Sequence, residues 1–214
     1  MVDVVDGIPV YISTLNSEAA ITTGVTQIQT GGATGLNLEG EGLLIGVWDD
    51  GSVKDHIELG TRVVSKEVDN DVTHATHVTG TLIASGINPS ARGMAPKAAV
   101  TNWYFNNDLA EMAALAKPDE HSLLLSNHSY GTVTGWTKIN GQWNWSGNSS
   151  ISTDEDYRFG LYGDKAAALD ELANLAPYYT IVWAAGNDRG EPGDGSKPPD
   201  CNGGTGYDCI IPES

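Results

Sequence analysis

The residues best suited to chemistry in this sequence are an aspartate and a histidine separated by a modest stretch of chain. Asp49 follows the run Leu43-Leu44-Ile45-Gly46-Val47-Trp48, and His74 opens the segment His74-Ala75-Thr76-His77-Val78-Thr79-Gly80. A carboxylate directly after a buried strand is held rigidly, and Gly51 lets the backbone turn away without a Cβ clash. An imidazole at a helix start acts as a general base when a carboxylate orients one ring nitrogen and the other faces a nucleophile. Two plainer readings stand beside this one. Asp-Gly after any strand makes a turn, and His74 with His77, one helical turn on, suggests metal chelation. The zinc-peptidase pattern needs His-Glu-x-x-His, with a four-residue step and a Glu base, and neither is present. His77 is therefore expected to be a packed, satisfied histidine.

The elements that must hold these groups follow from hydrophobic patterning. Leu43 to Trp48 is a continuous apolar run, the mark of a strand buried on both faces. Similar runs occur at Ala98-Ala99-Val100 into Trp103-Tyr104, at Leu123-Leu124-Leu125, and at Tyr179 to Ala184. Helical segments are expected between them, around His74 to Ser85, Leu109 to Ala116 and Lys165 to Ala176. The last has apolar spacing at Ala168, Leu169, Leu172 and Leu175. Strand and helix in alternation predict an α/β fold of three layers, a mostly parallel sheet with helices on both faces. Ligands of such sheets bind beyond the carboxyl ends of the strands, where these motifs fall. Residues 1–38 read as an N-terminal extension, with a β-like run at Ile8 to Ile12 and a helix capped by Asn16 or Ser17.

Taken together, the Asp49 and His74 segments resemble the aspartate and histidine signatures of the subtilisin-like serine protease family, in that family's chain order of Asp, His, Ser. Three more segments carry the resemblance. Gly93-Met94-Ala95-Pro96 is similar to the family's Gly-x-Ala-Pro turn, Ser126-Asn127-His128-Ser129-Tyr130-Gly131 to its substrate-binding strand, and Val182-Trp183-Ala184-Ala185-Gly186-Asn187 to its oxyanion segment. The resemblance implies a peptidase domain over residues 39–214. It implies that Asp49 orients His74, that His74 moves the proton, and that Asn187 donates its amide to the oxyanion. Ser129, Tyr130 and Gly131 would pair with an extended peptide, and Ala184, Ala185 and Gly186 would wall the specificity pocket. Asp50 stands where the family has Thr or Ser, and is expected to face outward. Ala75 replaces a usual Gly, and Thr79 a usual Ala.

The family's nucleophile lies in Gly-Thr-Ser-Met-Ala, and no segment here fits it; Gly203-Gly204-Thr205-Gly206-Tyr207 lacks the serine. The expectation is a serine endopeptidase acting on peptide or protein substrates, with its serine on a missing or separate C-terminal segment. By itself this chain should be inactive, and a second polypeptide carrying the serine should cover the apolar faces left open. The alternative is a catalytically inactive subtilase-like module that still grips extended peptides. A third reading, carbohydrate binding, draws on Trp136, Trp143 and Trp145, though a loop at the cleft rim accounts for them as well.

Composition narrows the classes further. The 214 residues carry 28 acidic and 11 basic side chains, a net charge of −17, which argues against nucleic acid and anionic membrane surfaces. No stretch approaches the roughly 20 apolar residues of a membrane span. Met1 to Asp6 does not read as a signal peptide. Cys201 and Cys209 bracket a Gly-rich segment, and a disulfide between them would place the protein outside the reducing cytosol, secreted or extracytoplasmic. The alternative is two free thiols. No cofactor is required by the implied mechanism. Calcium as a structural ion is an expectation from the family, with Asp188, Glu191, Asp194 and Asp154, Glu155, Asp156 on offer, although their spacing is not that of an EF-hand.

Overall fold

In a computed structural model, residues 3–5, 8–10, 16–67, 70–116, 123–204 and 209–214 are described. The chain forms two compact units, residues 1–105 and 106–214.

The first unit begins with an antiparallel pair, β1 (Asp3–Val5) and β2 (Ile8–Val10), followed by helices α1 (Asn16–Thr22) and α2 (Val25–Ile28). Its centre is β3 (Leu44–Asp49), buried from Ile45 onward as its unbroken apolar run requires. Two short strands, β4 (Ser52–Val53) and β6 (Asp71–Val72), pair in parallel, with β5 (Val63–Ser65) between them in sequence. Helix α3 (Thr73–Ile83) follows, then β7 (Ala99–Tyr104). β3 and β5 both run parallel to β7, with Leu44 opposite Ala99 and Asp49 opposite Tyr104 in the β3 pairing. Trp48 and Trp103 stack with centroids 6.0 Å apart. α3 buries Ala75, Thr79 and Ile83, one stripe at the helical repeat. Gly93 packs so closely on the end of α3 that a Cβ would lie 2.5 Å from the Ala84 nitrogen, which explains a glycine in the Gly-x-Ala-Pro turn. Gln29, in the stretch after α2, donates to the Gly93 and Met94 carbonyls, tying residues before Leu38 to that turn.

The second unit holds helix α4 (Asp108–Leu115), strand β8 (Leu125–His128), strands β9 (Trp136–Ile139) and β10 (Gln142–Trp145), helix α5 (Asp164–Leu175), strand β11 (Thr180–Trp183) and the short helix α6 (Cys201–Gly204). β8 and β11 are parallel and in register, Leu125 opposite Thr180 and His128 opposite Trp183. α4 buries Met112, and α5 buries Leu169 and Leu172.

Mostly parallel strands alternating with helices make this an α/β fold, the class that the patterning predicts. Four details differ from expectation. β11 is only half-buried, with Val182 exposed, and among the described residues it pairs along one edge alone. Leu175 of α5 is exposed, since the buried stripe runs through Leu169, Leu172 and Ala176 instead. His77 is exposed rather than packed: two residues past Ala75, it falls on the far side of α3 from the buried stripe. The tryptophan-rich loop is an antiparallel hairpin, with Asn140 and Gly141 at φ 50° and 82°. Those angles are the type I′ turn that Asn-Gly favours. Cys201 and Cys209 are joined as a disulfide.

Candidate active site

Asp49 is the last residue of β3 and His74 the second of α3, so a strand end and a helix start present the two side chains to each other. The His74 Nδ1 lies 2.7 Å from Asp49 Oδ1. The same oxygen accepts the Asp50 N–H at 2.9 Å. Asp49 is 1% exposed while the His74 side chain is 52% exposed. A buried acid therefore holds one ring nitrogen and leaves the rest of the imidazole in the open. Asp49 Oδ2 has no hydrogen-bond partner among the described residues.

Burial pushes the Asp49 carboxyl above its ordinary value, the His74 hydrogen bond pulls it down, and the Asp50 side chain adds to the rise. Asp50 is exposed. A ligand atom of each of Asp49, Asp50 and His74 nevertheless falls within 4.8 Å of the others, close enough for the second carboxylate to be felt.

In the second unit, the paired ends of β8 and β11 release their chains side by side. Ser129, Tyr130, Gly131, Ala184, Gly186 and Asn187 consequently line one cavity of about 240 Å³. Ala185 is not among its lining residues; its carbonyl instead accepts the Ile211 N–H at 3.1 Å. Ile211, buried, closes the cavity between the two glycines: a Cβ on Gly131 or Gly186 would run into its side chain. Asn187 is exposed at the cavity edge.

Beside this cavity, ligand oxygens of Asp188, Glu191 and Asp200 lie within 4.8 Å of one another. Asp200 is 3% exposed and accepts the Trp136 N–H at 2.7 Å. Burial, together with the negative charges of Asp188, Glu191 and Asp156, pushes Asp200 up to about 7. Burial likewise raises Asp188 and Glu191. Asp156 behaves differently: burial pushes it up, but the Arg158 guanidinium and the Gly135 N–H outweigh that and hold it below its ordinary value. Of the carboxylates named from sequence, Asp188 and Glu191 come together, whereas Asp194, Asp154 and Glu155 stay outside the group. Asp156 is neutralised by Arg158 at 2.6 Å. Asp200 joins Asp188 and Glu191 with no signal in the sequence beyond its place next to Cys201.

The profile described as "Subtilase family" matches residues 40–208. The chain belongs to the subtilase family. A solved structure described as "Crystal structure of a cold adapted subtilisin-like serine proteinase" is similar to it, with 22% identity and a TM-score of 0.44. That match covers 72% of this chain and 50% of the other, so this subtilase chain spans about half the length of the solved one. No curated protein matches it significantly. No described helix is long and apolar enough to cross a membrane.

Proposed function

We propose that this chain supplies the acid, the base and the substrate cleft of a serine endopeptidase whose serine comes from a further polypeptide segment. The observation that carries this is the 2.7 Å contact between the buried Asp49 carboxylate and Nδ1 of a half-exposed His74. With Nδ1–H donated to Asp49, the Nε2 lone pair is free to take a proton from a serine hydroxyl and return it to the leaving amine. Asp49 keeps the productive tautomer and balances the imidazolium that forms. An extended peptide adds as a strand along Ser129, Tyr130 and Gly131, with one side chain in the cavity and the Asn187 amide donated to the oxyanion. The half-exposed β11, with Val182 uncovered, supports a second polypeptide packing there. The peptidase domain is taken to begin at residue 39, with an extension before it.

Calcium fits as a structural ion at Asp188, Glu191 and Asp200. Three convergent carboxylates, one of them buried, are a hard-oxygen donor set whose mutual repulsion a divalent cation would relieve. The disulfide between Cys201 and Cys209 supports an extracytoplasmic location.

The test uses a fluorogenic peptide. Purified chain alone is expected to give no turnover, and the native preparation holding the serine segment is expected to cleave. His74→Ala should abolish that cleavage, and Asp49→Asn should lower kcat by about 10⁴ by favouring the wrong tautomer. Cleavage that survives His74→Ala would refute the mechanism, while peptide binding without cleavage in the native preparation would favour an inactive binding module.

A further inference from the structure

The two walls of the cavity are joined behind by buried polar side chains that the chemistry above does not use. His128, the last residue of β8, is 1% exposed. Its Nε2 lies 2.9 Å from Ser126 Oγ and its Nδ1 3.0 Å from the Tyr130 hydroxyl. That hydroxyl donates to Asp108 Oδ2 at 2.8 Å, and Lys165 Nζ sits 3.0 Å from the same oxygen. The ring of His128 stacks on Trp183 at 4.4 Å with planes 4° apart, and its carbonyl accepts the Ala184 N–H at 3.0 Å. One side chain thus touches the segment leading to Ser129, Tyr130 and Gly131 and also the segment leading to Ala184 and Gly186.

The direction of the protons follows from what each group can do. An ionised Asp108 only accepts, so the Tyr130 hydroxyl spends its single proton there. The Tyr130 oxygen must then accept from His128 Nδ1–H, which leaves Nε2 to accept from Ser126 Oγ–H. His128 is neutral in this arrangement. Burial is the first cause, lowering its pKa to about 3, with the opposed charges of Asp108 and Lys165 facing the same group. Lys165 also lies over the rings of Trp183 and Tyr130, at 4.9 and 5.6 Å, so its charge is held on the relay from outside.

We infer that His128 is a positioning residue for substrate: the relay Ser126–His128–Tyr130–Asp108–Lys165 fixes the spacing of the two backbone segments that grip an extended peptide. The inference rests on the proposed peptidase reading of this cavity. An ordinary core residue in this place would need only the right volume. A relay with one proton order holds Tyr130 at a set distance from Trp183, and substrate affinity should respond when the order is broken even if the fold survives.

The experiment has two arms. The first is ¹⁵N NMR of the wild-type imidazoles, which should show His128 as the neutral Nδ1–H tautomer, unchanged from pH 5 to 9. The opposite tautomer, or a titration inside that range, overturns the relay without any variant being made. The second arm measures binding of a fluorescein-labelled random hexapeptide pool to the native preparation carrying His74→Ala, so that no turnover interferes. His128→Phe, which keeps the ring and loses both hydrogen bonds, should weaken binding about tenfold. Lys165→Met, at the partly exposed end, should weaken it about threefold. His128→Gln, which restores one bond, should recover part of the loss. Binding by both His128→Phe and Lys165→Met equal to that of the parent overturns the positioning role alone. A parent that binds no peptide overturns the substrate reading of the cavity, and the positioning role with it.

Discussion

Glu58 gives the sharpest test of how the first unit holds His74. It is 6% exposed, and its carboxylate accepts the Gly86 and Ile87 N–H groups at 2.7 and 2.9 Å and the Asn88 N–H at 2.7 Å. Its own carbonyl accepts from Arg62 Nη2 and from Ser85, while Arg62 Nη1 reaches the Ile83 and Ala98 carbonyls. Glu58 thereby clamps the chain leaving α3, at the far end of the helix from His74. Burial would push its pKa up, but the three N–H donors outweigh burial and hold it below the ordinary 4.5. A hydrogen bond to a charged group is worth about 1.5–3 kcal/mol net, and three that share one buried carboxylate are not independent. Glu58→Ala should therefore cost about 3–5 kcal/mol, and lower the melting temperature by about 10 °C at this chain length. Glu58→Gln keeps one accepting oxygen and turns an amide N–H toward a backbone donor, for a cost of about 2 kcal/mol. The pH dependence has a definite sign. A depressed carboxylate adds stability that is fully present above 4.5 and is lost as pH falls through the folded pKa. Urea unfolding at pH 7 and again near pH 3 should show the gap between wild type and Glu58→Gln closing in acid. A Glu58→Ala protein within about 1 kcal/mol of wild type, or a gap independent of pH, would refute the clamp.

Two further outcomes are expected. In the native preparation, Asn187→Ala should lower kcat by about 10²–10³ while leaving KM nearly unchanged, because an oxyanion donor acts on the transition state; a rise in KM at constant kcat would instead make Asn187 a simple binding residue. Millimolar calcium should raise the melting temperature of the wild type relative to EGTA, and Asp200→Asn should remove most of that difference. Equal melting curves with and without calcium would remove the ion from Asp188, Glu191 and Asp200.

What the sequence disclosed depended on how local its cause was. β3 was legible because a strand buried on both faces needs an unbroken apolar run, and Ile45 to Trp48 supplies one. α3 was legible because Ala75, Thr79 and Ile83 repeat with the helix. β11 looked the same as β3 in composition and is not, since burial of its second edge depends on what packs there rather than on its own residues. The hairpin of β9 and β10 has a local cause, Asn140-Gly141 between tryptophan-rich runs, and the turn lies in that dipeptide rather than in the aromatic content. Asp200 lies 12 residues beyond Asp188, with the intervening chain irregular, so no spacing rule would have joined them.

The placement of the candidate residues on their strands follows a topological rule more closely than a compositional one. Asp49 closes β3, Ser129 to Gly131 follow β8, and Ala184 to Asn187 follow β11, so each candidate segment stands at the carboxyl end of a parallel strand. For β8 and β11 the register matters as much as the direction. His128 and Trp183 are paired partners, so the next residues emerge abreast and wall one cavity. A slip of two residues would keep every side chain on its proper face, yet it would offset the two walls by about 6.6 Å, at about 3.3 Å per residue. Burial alone does not forbid that slip. The stack of His128 on Trp183, and Lys165 lying over the Trp183 ring while paired with Asp108, do, which gives a physical reason for placing a polar, fully buried residue at the end of a core strand.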